Sequence, residues 1–527
     1  MPYNSWLYLI FFLGVTVLLY YAVPLKIRWT VLLAASAAFY LLASRQLILV
    51  LILSAAVVYA AALRIEKRND DYQERRAALP KDERKLLKEQ TARKVRHILV
   101  LACTVALGIL FFTKYFNFVG TNVNLLLTKL SLPAAVPALH LIMPMGISFY
   151  TLSAVSYLID VSRGTCRAQR NFLKLLLFLI FFPVITEGPI SRYDQLGTQV
   201  AEGHRFDYAS FCFGIQRILW GLFQKVVIAD RLDAFVGNIF NDRAFYSGSV
   251  VLAAVLLYTL QIYTDFAGCI DIARGSAELF GIRLTPNFAQ PFFATSVNDF
   301  WKRWHITLGA WLRDYVFYPI SLSKLFQALS KSSRRHLSGY YAATLPALVA
   351  LLAVWFLNGV WHGAEWKYIC YGLYYYVIMA SGMLLEPFFA RLTGLMRLDR
   401  KSRGFRLWQM LRTFCFVNVG MLIFRADTLG AALSMFRSLF QPYGGSLLAV
   451  MNAKGLPVGQ LSIALTGAAL VFAVDILQER GAGLRDWIAA RAVPLRWSIY
   501  MAAVLLVLVA GAYGPGFGIV DFIYAQF

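Results

Sequence analysis

Apolar stretches close to the width of a bilayer recur from one end of this chain to the other, and no other feature narrows its possible folds so sharply. They fall at residues 6–23, 30–42, 47–63, 98–112, 142–159, 172–185, 250–262, 342–357, 408–423, 461–476 and 499–512. A helix needs about 20 apolar residues to cross the hydrocarbon. Several of these runs are shorter, so tilted, kinked or re-entrant helices are expected among them. Composition agrees: 59% of the 527 residues are hydrophobic and the mean hydropathy is +0.59, beyond what a soluble domain carries. The expected fold is all-α, a polytopic membrane protein of about 10–12 spans in one membrane domain, residues 1–527. No internal repeat and no separable soluble domain is visible.

The first run lacks a basic flank and a small-residue cleavage site, and further apolar segments follow at once, so it reads as a retained span. The net charge is +23. Much of that excess sits between apolar runs, above all in residues 64–96, which are expected to form a cytoplasmic loop by the positive-inside rule. Counting back through Lys26 and Arg28 puts the amino terminus on the extracytoplasmic side. Such charge speaks for topology and for membrane lipids, with their anionic headgroups, as partners rather than for nucleic acid. Cys103, Cys166, Cys212, Cys269, Cys370 and Cys415 are scattered with no metal-ligand spacing, so neither a zinc site nor a disulfide framework is expected.

Three stretches interrupt the spans. "FFPVITEGPISRYDQL", residues 181–196, places Pro183, Gly188 and Pro189 where they break a helix, and the freed backbone groups need protein or water as partners. "LQIYTDFAGCIDIARGSAELFGIRLTPNFAQPFF", residues 260–293, carries Asp265, Asp271, Arg274 and Glu278 directly after an apolar run. Charges at that depth are costly unless paired, and Asp271, Arg274 and Glu278 are spaced to share one helix face. "NDFWKRWHITLGAWLRDYVFYPI", residues 298–320, predicts an interfacial or re-entrant amphipathic helix with Trp301, Trp304, His305, Leu308, Leu312 and Tyr315 on one side.

Only six histidines are present, and two of them stand among tryptophans, His305 in "RWH" and His362 in "WHG". Two readings of His362 are open from the residues: a buried interhelical hydrogen-bonding group, or a general base, since a neutral imidazole can take a proton from a hydroxyl near neutral pH. No GxSxG and no adjacent nucleophile completes a hydrolase triad, so the hydroxyl would belong to a substrate. His97, His204 and His336 lie in basic or polar surroundings that suit solvated or headgroup-facing roles, and His140 is ambiguous.

In order, "GPISRY", "YTDFAGCIDIARG", "LTPNFAQPFF", "NDFWKRWHITLGAWLRDYVFYP" and "NGVWHGAEW" resemble the membrane-bound O-acyltransferase superfamily, over a motif-bearing core at about residues 181–366. Within it they are most similar to the bacterial branch of the alginate O-acetylation membrane subunit and the D-alanyl-lipoteichoic-acid transfer protein. That resemblance implies tilted, partly broken helices around a funnel and tunnel, in a bacterial inner membrane. It implies an O-acyltransferase with His362 and His305 as catalytic residues and Asn358, Trp304, Trp361 and Asp265 as substrate-binding residues, without metal. No bound cofactor is implied. The donor would be an acyl-CoA or acyl-carrier-protein thioester, the group most simply acetyl, and the acceptor a hydroxyl on an extracytoplasmic partner protein or a cell-surface polysaccharide.

Gly359 and Gly363 would let a substrate or a neighbouring helix approach the imidazole closely. One departure stands out: where alginate-type members carry a stretch resembling "LGGNRKG" after "LRDYVFYP", this chain has "ISLSKLFQALSKSSRRHLSG". The alternatives are D-alanyl transfer to teichoic acid, a long-chain lipid or protein acyltransferase, and a transporter without chemistry.

Overall fold

The computed structural model describes residues 1–44, 47–337, 339–513, 517 and 520–523. Among the described residues the chain is helical throughout, its one β-type pairing being an isolated bridge between Phe288 and Trp304. Among the described residues ten helices are long and apolar enough to cross a membrane, with a shorter apolar helix at Leu7–Ala22. In chain order the helices used below are α1 (Arg28–Ser44), α2 (Ile48–Arg76), α3 (Lys81–Leu110), α4 (Ile147–Arg163), α5 (Tyr208–Leu222), α6 (Asp230–Asn241), α7 (Gly248–Glu278), α8 (Val297–Arg303), α9 (Ile306–Leu312), α10 (Lys324–His336), α11 (Gly339–His362), α12 (Trp366–Leu395), α13 (Arg403–Arg425), α14 (Val458–Glu479) and α15 (Val493–Ala510). Contacts divide the chain into two units, Met1–Ile215 with Ala273–Thr285, and Gln216–Ile272 with Pro286–Phe527.

In the first unit the basic stretch 64–96 is helix rather than loop. It forms the ends of α2 and α3, joined by a turn at residues 77–80. Pro80 precedes the first residue of α3, and Asp82 and Glu83 in its first turn suit the positive end of the helix dipole. The run at 142–159 yields α4 only from Ile147, after Gly146 in a left-handed conformation that a side chain would strain.

The run at 172–185 stays helical only over Phe172–Ile180. Beyond it the broken backbone finds buried partners: the Phe182 N–H donates to Ser36 Oγ at 3.1 Å, and Tyr3 Oη donates to the Phe182 carbonyl at 2.5 Å. Those bonds answer the requirement set by Pro183, that main chain freed from a helix in a membrane be satisfied by protein.

Two of the candidate spans do not stand out in an apolar scan. Tyr208–Asn241 has a mean hydropathy of only 1.3 over its best window because it carries charges, yet 56% of that window is buried. In the second unit those charges are paired: Arg217 Nη1 lies 3.1 Å from Asp271, and Lys225 Nζ lies 2.6 Å from Asp265 and 2.9 Å from Asp230. Asp271 thus meets a cation on α5. Trp366–Leu395 is masked by tyrosine, whose ring is apolar but whose hydroxyl lowers hydropathy. Those hydroxyls serve as ties: Tyr374 Oη donates to the Phe416 carbonyl of α13 at 2.8 Å.

α11 and α12 approach until their backbones touch. Gly359 faces the Tyr368 carbonyl, and Gly372 faces the Trp355 carbonyl and the Gly359 backbone; a Cβ at either glycine would overlap main-chain atoms that cannot move aside. Gly363 is covered by the Tyr368 ring. These glycines therefore admit a neighbouring helix.

Candidate active site

The stretch 298–320 is not one helix. α8 begins at Ser296, whose side chain accepts the Asp299 N–H at 3.1 Å, and it ends after two turns at Arg303. Trp304 is extended, and His305 adopts a left-handed conformation with φ 49° and ψ 50°. A non-glycine residue there costs on the order of 1–2 kcal/mol, and "LTPNFAQPFF" supplies what offsets it. Residues 287–289 run antiparallel to 303–306: the Ala289 N–H donates to the Arg303 carbonyl at 2.9 Å, and the Ile306 N–H donates to the Asn287 carbonyl at 3.0 Å. Asn287 Oδ1 also accepts both the N–H and the hydroxyl of Thr307, each at 2.9 Å. One asparagine thus satisfies the first N–H groups of α9, which a helix cannot satisfy itself.

Arg303 pins the end of α8 through Asp299 at 3.0 Å and through Glu479 of α14 at 2.7 Å. Trp304 is 1% exposed and packs against Phe288, Phe300 and Tyr263, with ring centroids 5.0–6.0 Å apart. Asn287→Ala is expected to remove two bonds from a buried site at about 1–3 kcal/mol. Acyl transfer by the variant should fall while a denaturation curve shifts only by that amount; unchanged transfer would detach the His305 conformation from activity.

His362 is the last residue of α11, and Asn358 lies one turn earlier; both are buried, as is His305. The rings connect the two histidines: Trp361 is 5.5 Å from the His305 ring centroid and 5.1 Å from that of His362, edge-on to each. Tyr371 and Phe424 close round His362 at 5.6 Å and 5.3 Å, also edge-on. Burial pushes the His305 imidazole down to about 3, so it is neutral at ordinary pH.

A cavity of about 1420 Å³ opens beside this cluster, lined by His305, Asn358, Trp301, Lys302, Arg313 and Arg412 among mostly apolar side chains. Asn358 Oδ1, Trp301 Nε1 and Arg412 Nε are buried without a hydrogen-bond partner. Orphaned polar atoms in a cavity wall are costly in a resting fold and become useful when a ligand brings partners for them. His362 and Trp361 stand behind this wall, outside the lining.

Of the residues singled out from sequence, His305, His362, Asn358 and Trp361 come together. Trp304 and Asp265 do not join them. Trp304 is turned into packing by the break at His305, and Asp265 is held by Lys225 and by the Ile523 N–H at 2.8 Å. Trp301, read from sequence only as part of an amphipathic face, lines the cavity with Arg412, and Asn287 holds the backbone beside His305; neither Arg412 nor Asn287 stands out in the sequence motifs. The signal for Asn287 is its place between Pro286 and Pro291, which forbid helix and leave an extended strip. Among the described residues no group of three or more His, Cys, Asp or Glu is placed to hold a metal ion.

His305, His362 and Asn358 thus lie buried together beside a cavity in a chain of many apolar helices, an arrangement that suits a membrane enzyme. The model of the membrane-bound O-acyltransferase family matches residues 165–418. The chain is 32% identical to a probable alginate O-acetylase of Pseudomonas putida over 448 residues, 81% of this chain and 84% of that protein. It is 29% identical to a peptidoglycan O-acetyltransferase of Helicobacter pylori over 66% of each chain, and 30% identical to a teichoic acid D-alanyltransferase of Bacillus subtilis over 55% of this chain and 70% of that one. The chain belongs to the membrane-bound O-acyltransferase family and is an O-acyltransferase.

Proposed function

We propose that the enzyme moves an acetyl group from a cytoplasmic thioester, acyl-CoA or acyl-carrier protein, to a hydroxyl on an extracytoplasmic partner protein or cell-surface polysaccharide. The observation that carries this reading is the His305–Trp361–His362 cluster standing against a cavity whose wall holds unpartnered Asn358, Trp301 and Arg412 atoms. The cavity takes the donor arm. The acceptor hydroxyl meets His362, which removes its proton as the oxygen attacks the thioester carbonyl. The Asn358 amide and the Trp301 N–H stabilise the oxyanion, and collapse of the tetrahedral intermediate expels the thiolate, which takes up a proton. His305 orients the donor from the cavity side.

Acetyl is preferred to D-alanyl because similarity to the alginate relative extends over 81% of the chain and that to the D-alanyltransferase over 55%. The test is transfer by purified protein in proteoliposomes, given radiolabelled acetyl-CoA or a D-alanyl carrier-protein thioester on one side and a uronic-acid oligosaccharide on the other. Alkali-labile acetyl on the oligosaccharide is the expected result; label from the D-alanyl thioester alone would overturn it.

A further inference from the structure

Helix α10, Lys324–His336, lies in the stretch "ISLSKLFQALSKSSRRHLSG" and has no part in the cavity. Ser323 caps it by accepting the Phe326 N–H at 3.2 Å, and Arg334, Arg335 and His336 suit the negative end of its dipole, so it is a well-formed helix of about 20 Å. Its half-buried or buried face is Phe326, Ser330 and Ser333, while Leu322 is 73% exposed and Leu325 is 82% exposed, with Leu329 on the same stripe. Lys324, Lys331, Arg334 and Arg335 are all exposed, and no acidic residue occurs between Asp314 and Glu365. Among the described residues no ion pair engages any of these cations.

Two solvents are thereby excluded. Four cations on about three turns cannot sit in hydrocarbon, where each costs several kcal/mol unless it escapes to the interface. Leucines so fully exposed, in a row, do not belong in water. The only surroundings that suit both are the boundary between acyl chains and headgroups, and α11, a span, begins just beyond at Gly339. We propose that α10 is a binding surface for anionic phospholipid: its leucine stripe enters the acyl boundary and its lysines and arginines hold the headgroup phosphates. This surface is independent of the acyl-transfer reading.

Hydrogen exchange read by mass spectrometry on the full chain in nanodiscs tests it. Residues 322–337 should exchange roughly tenfold more slowly in discs containing phosphatidylglycerol than in phosphatidylcholine alone. The difference should vanish at about 1 M salt, where the Debye length is roughly 3 Å. It should also vanish in the variant carrying Lys324→Gln, Lys331→Gln, Arg334→Gln and Arg335→Gln, with α11 exchanging as in the parent. Equal exchange in both lipids, or protection that survives the four substitutions, would overturn the proposal. So would protection by soluble polyglutamate with none from phosphatidylglycerol, an outcome that would assign the surface to an acidic protein.

Discussion

Replacing His362 with alanine is expected to lower acyl transfer by about 10²- to 10⁴-fold, the usual worth of a general base. That corresponds to roughly 3–5 kcal/mol of barrier. The imidazole is also a packing element against Trp361, Tyr371 and Phe424, so part of the loss could come from a cavity left in the core. His362→Gln separates the two effects. Glutamine fills much of the space and keeps a polar tip but cannot accept and return a proton near neutral pH. Both variants should therefore lose transfer while His362→Gln keeps the parent's unfolding midpoint in detergent. Transfer by His362→Gln at the parental rate would remove proton abstraction from the role of this residue. The maximal rate is the quantity to follow, because an interaction made only in the transition state lowers turnover without weakening substrate binding.

The second large effect is expected at a buried ion-pair network. Lys225 is fully buried and holds both Asp230 and Asp265, and its ammonium also reaches the Asp521 carbonyl at 3.3 Å and sits 4.5 Å from the centre of the Phe522 ring. Lys225→Met would leave two carboxylates in the interior without a counter-charge, a change that typically costs about 3–5 kcal/mol. Purified Lys225→Met should unfold at markedly lower denaturant concentration, and the chain at Asp521 and Phe522 should become open to limited proteolysis, because two contacts that hold it are gone. Combining it with Asp265→Asn and Asp230→Asn should restore a large part of the stability, since the penalty comes from uncompensated charge rather than from a missing bond. A Lys225→Met protein as stable as the parent would show that the two carboxylates find other partners.

The class of the molecule was legible because apolar length is a demand of the bilayer and is written directly into sequence. What escaped was structure made by pairing across distance. Lys225 and Asp265 are 40 residues apart, and each looks like a charge in the wrong place until the other is known. The span at 208–241 was hidden for the same reason.

The site shows a second kind of limit. On a continuous helix Trp301, Trp304 and His305 share one side, and that periodicity is correct up to Arg303. The strip at 287–289 then competes for the backbone of 303–306 and wins, which sends Trp304 into packing and leaves Trp301 and His305 at the cavity. Local periodicity carries no trace of a partner strip that lies elsewhere in the chain. The motifs around His305 and His362, read in order, did identify the family, and the two histidines do meet through Trp361.

The hairpin of α2 and α3 has a consequence outside the bilayer. The helices are 29 and 30 residues long, which at 1.5 Å per residue is roughly 44 Å, against a hydrocarbon thickness of about 30 Å. With their apolar halves in the hydrocarbon, the charged ends, residues 64–76 and 81–96, stand clear of it for roughly 20 Å as a paired mast with its tip at residues 77–80. Where that mast emerges, a broad soluble protein cannot lie flush with the lipid surface. It must stand off or dock against the helical stem, so the membrane face of this enzyme has a built-in height limit on what can approach it.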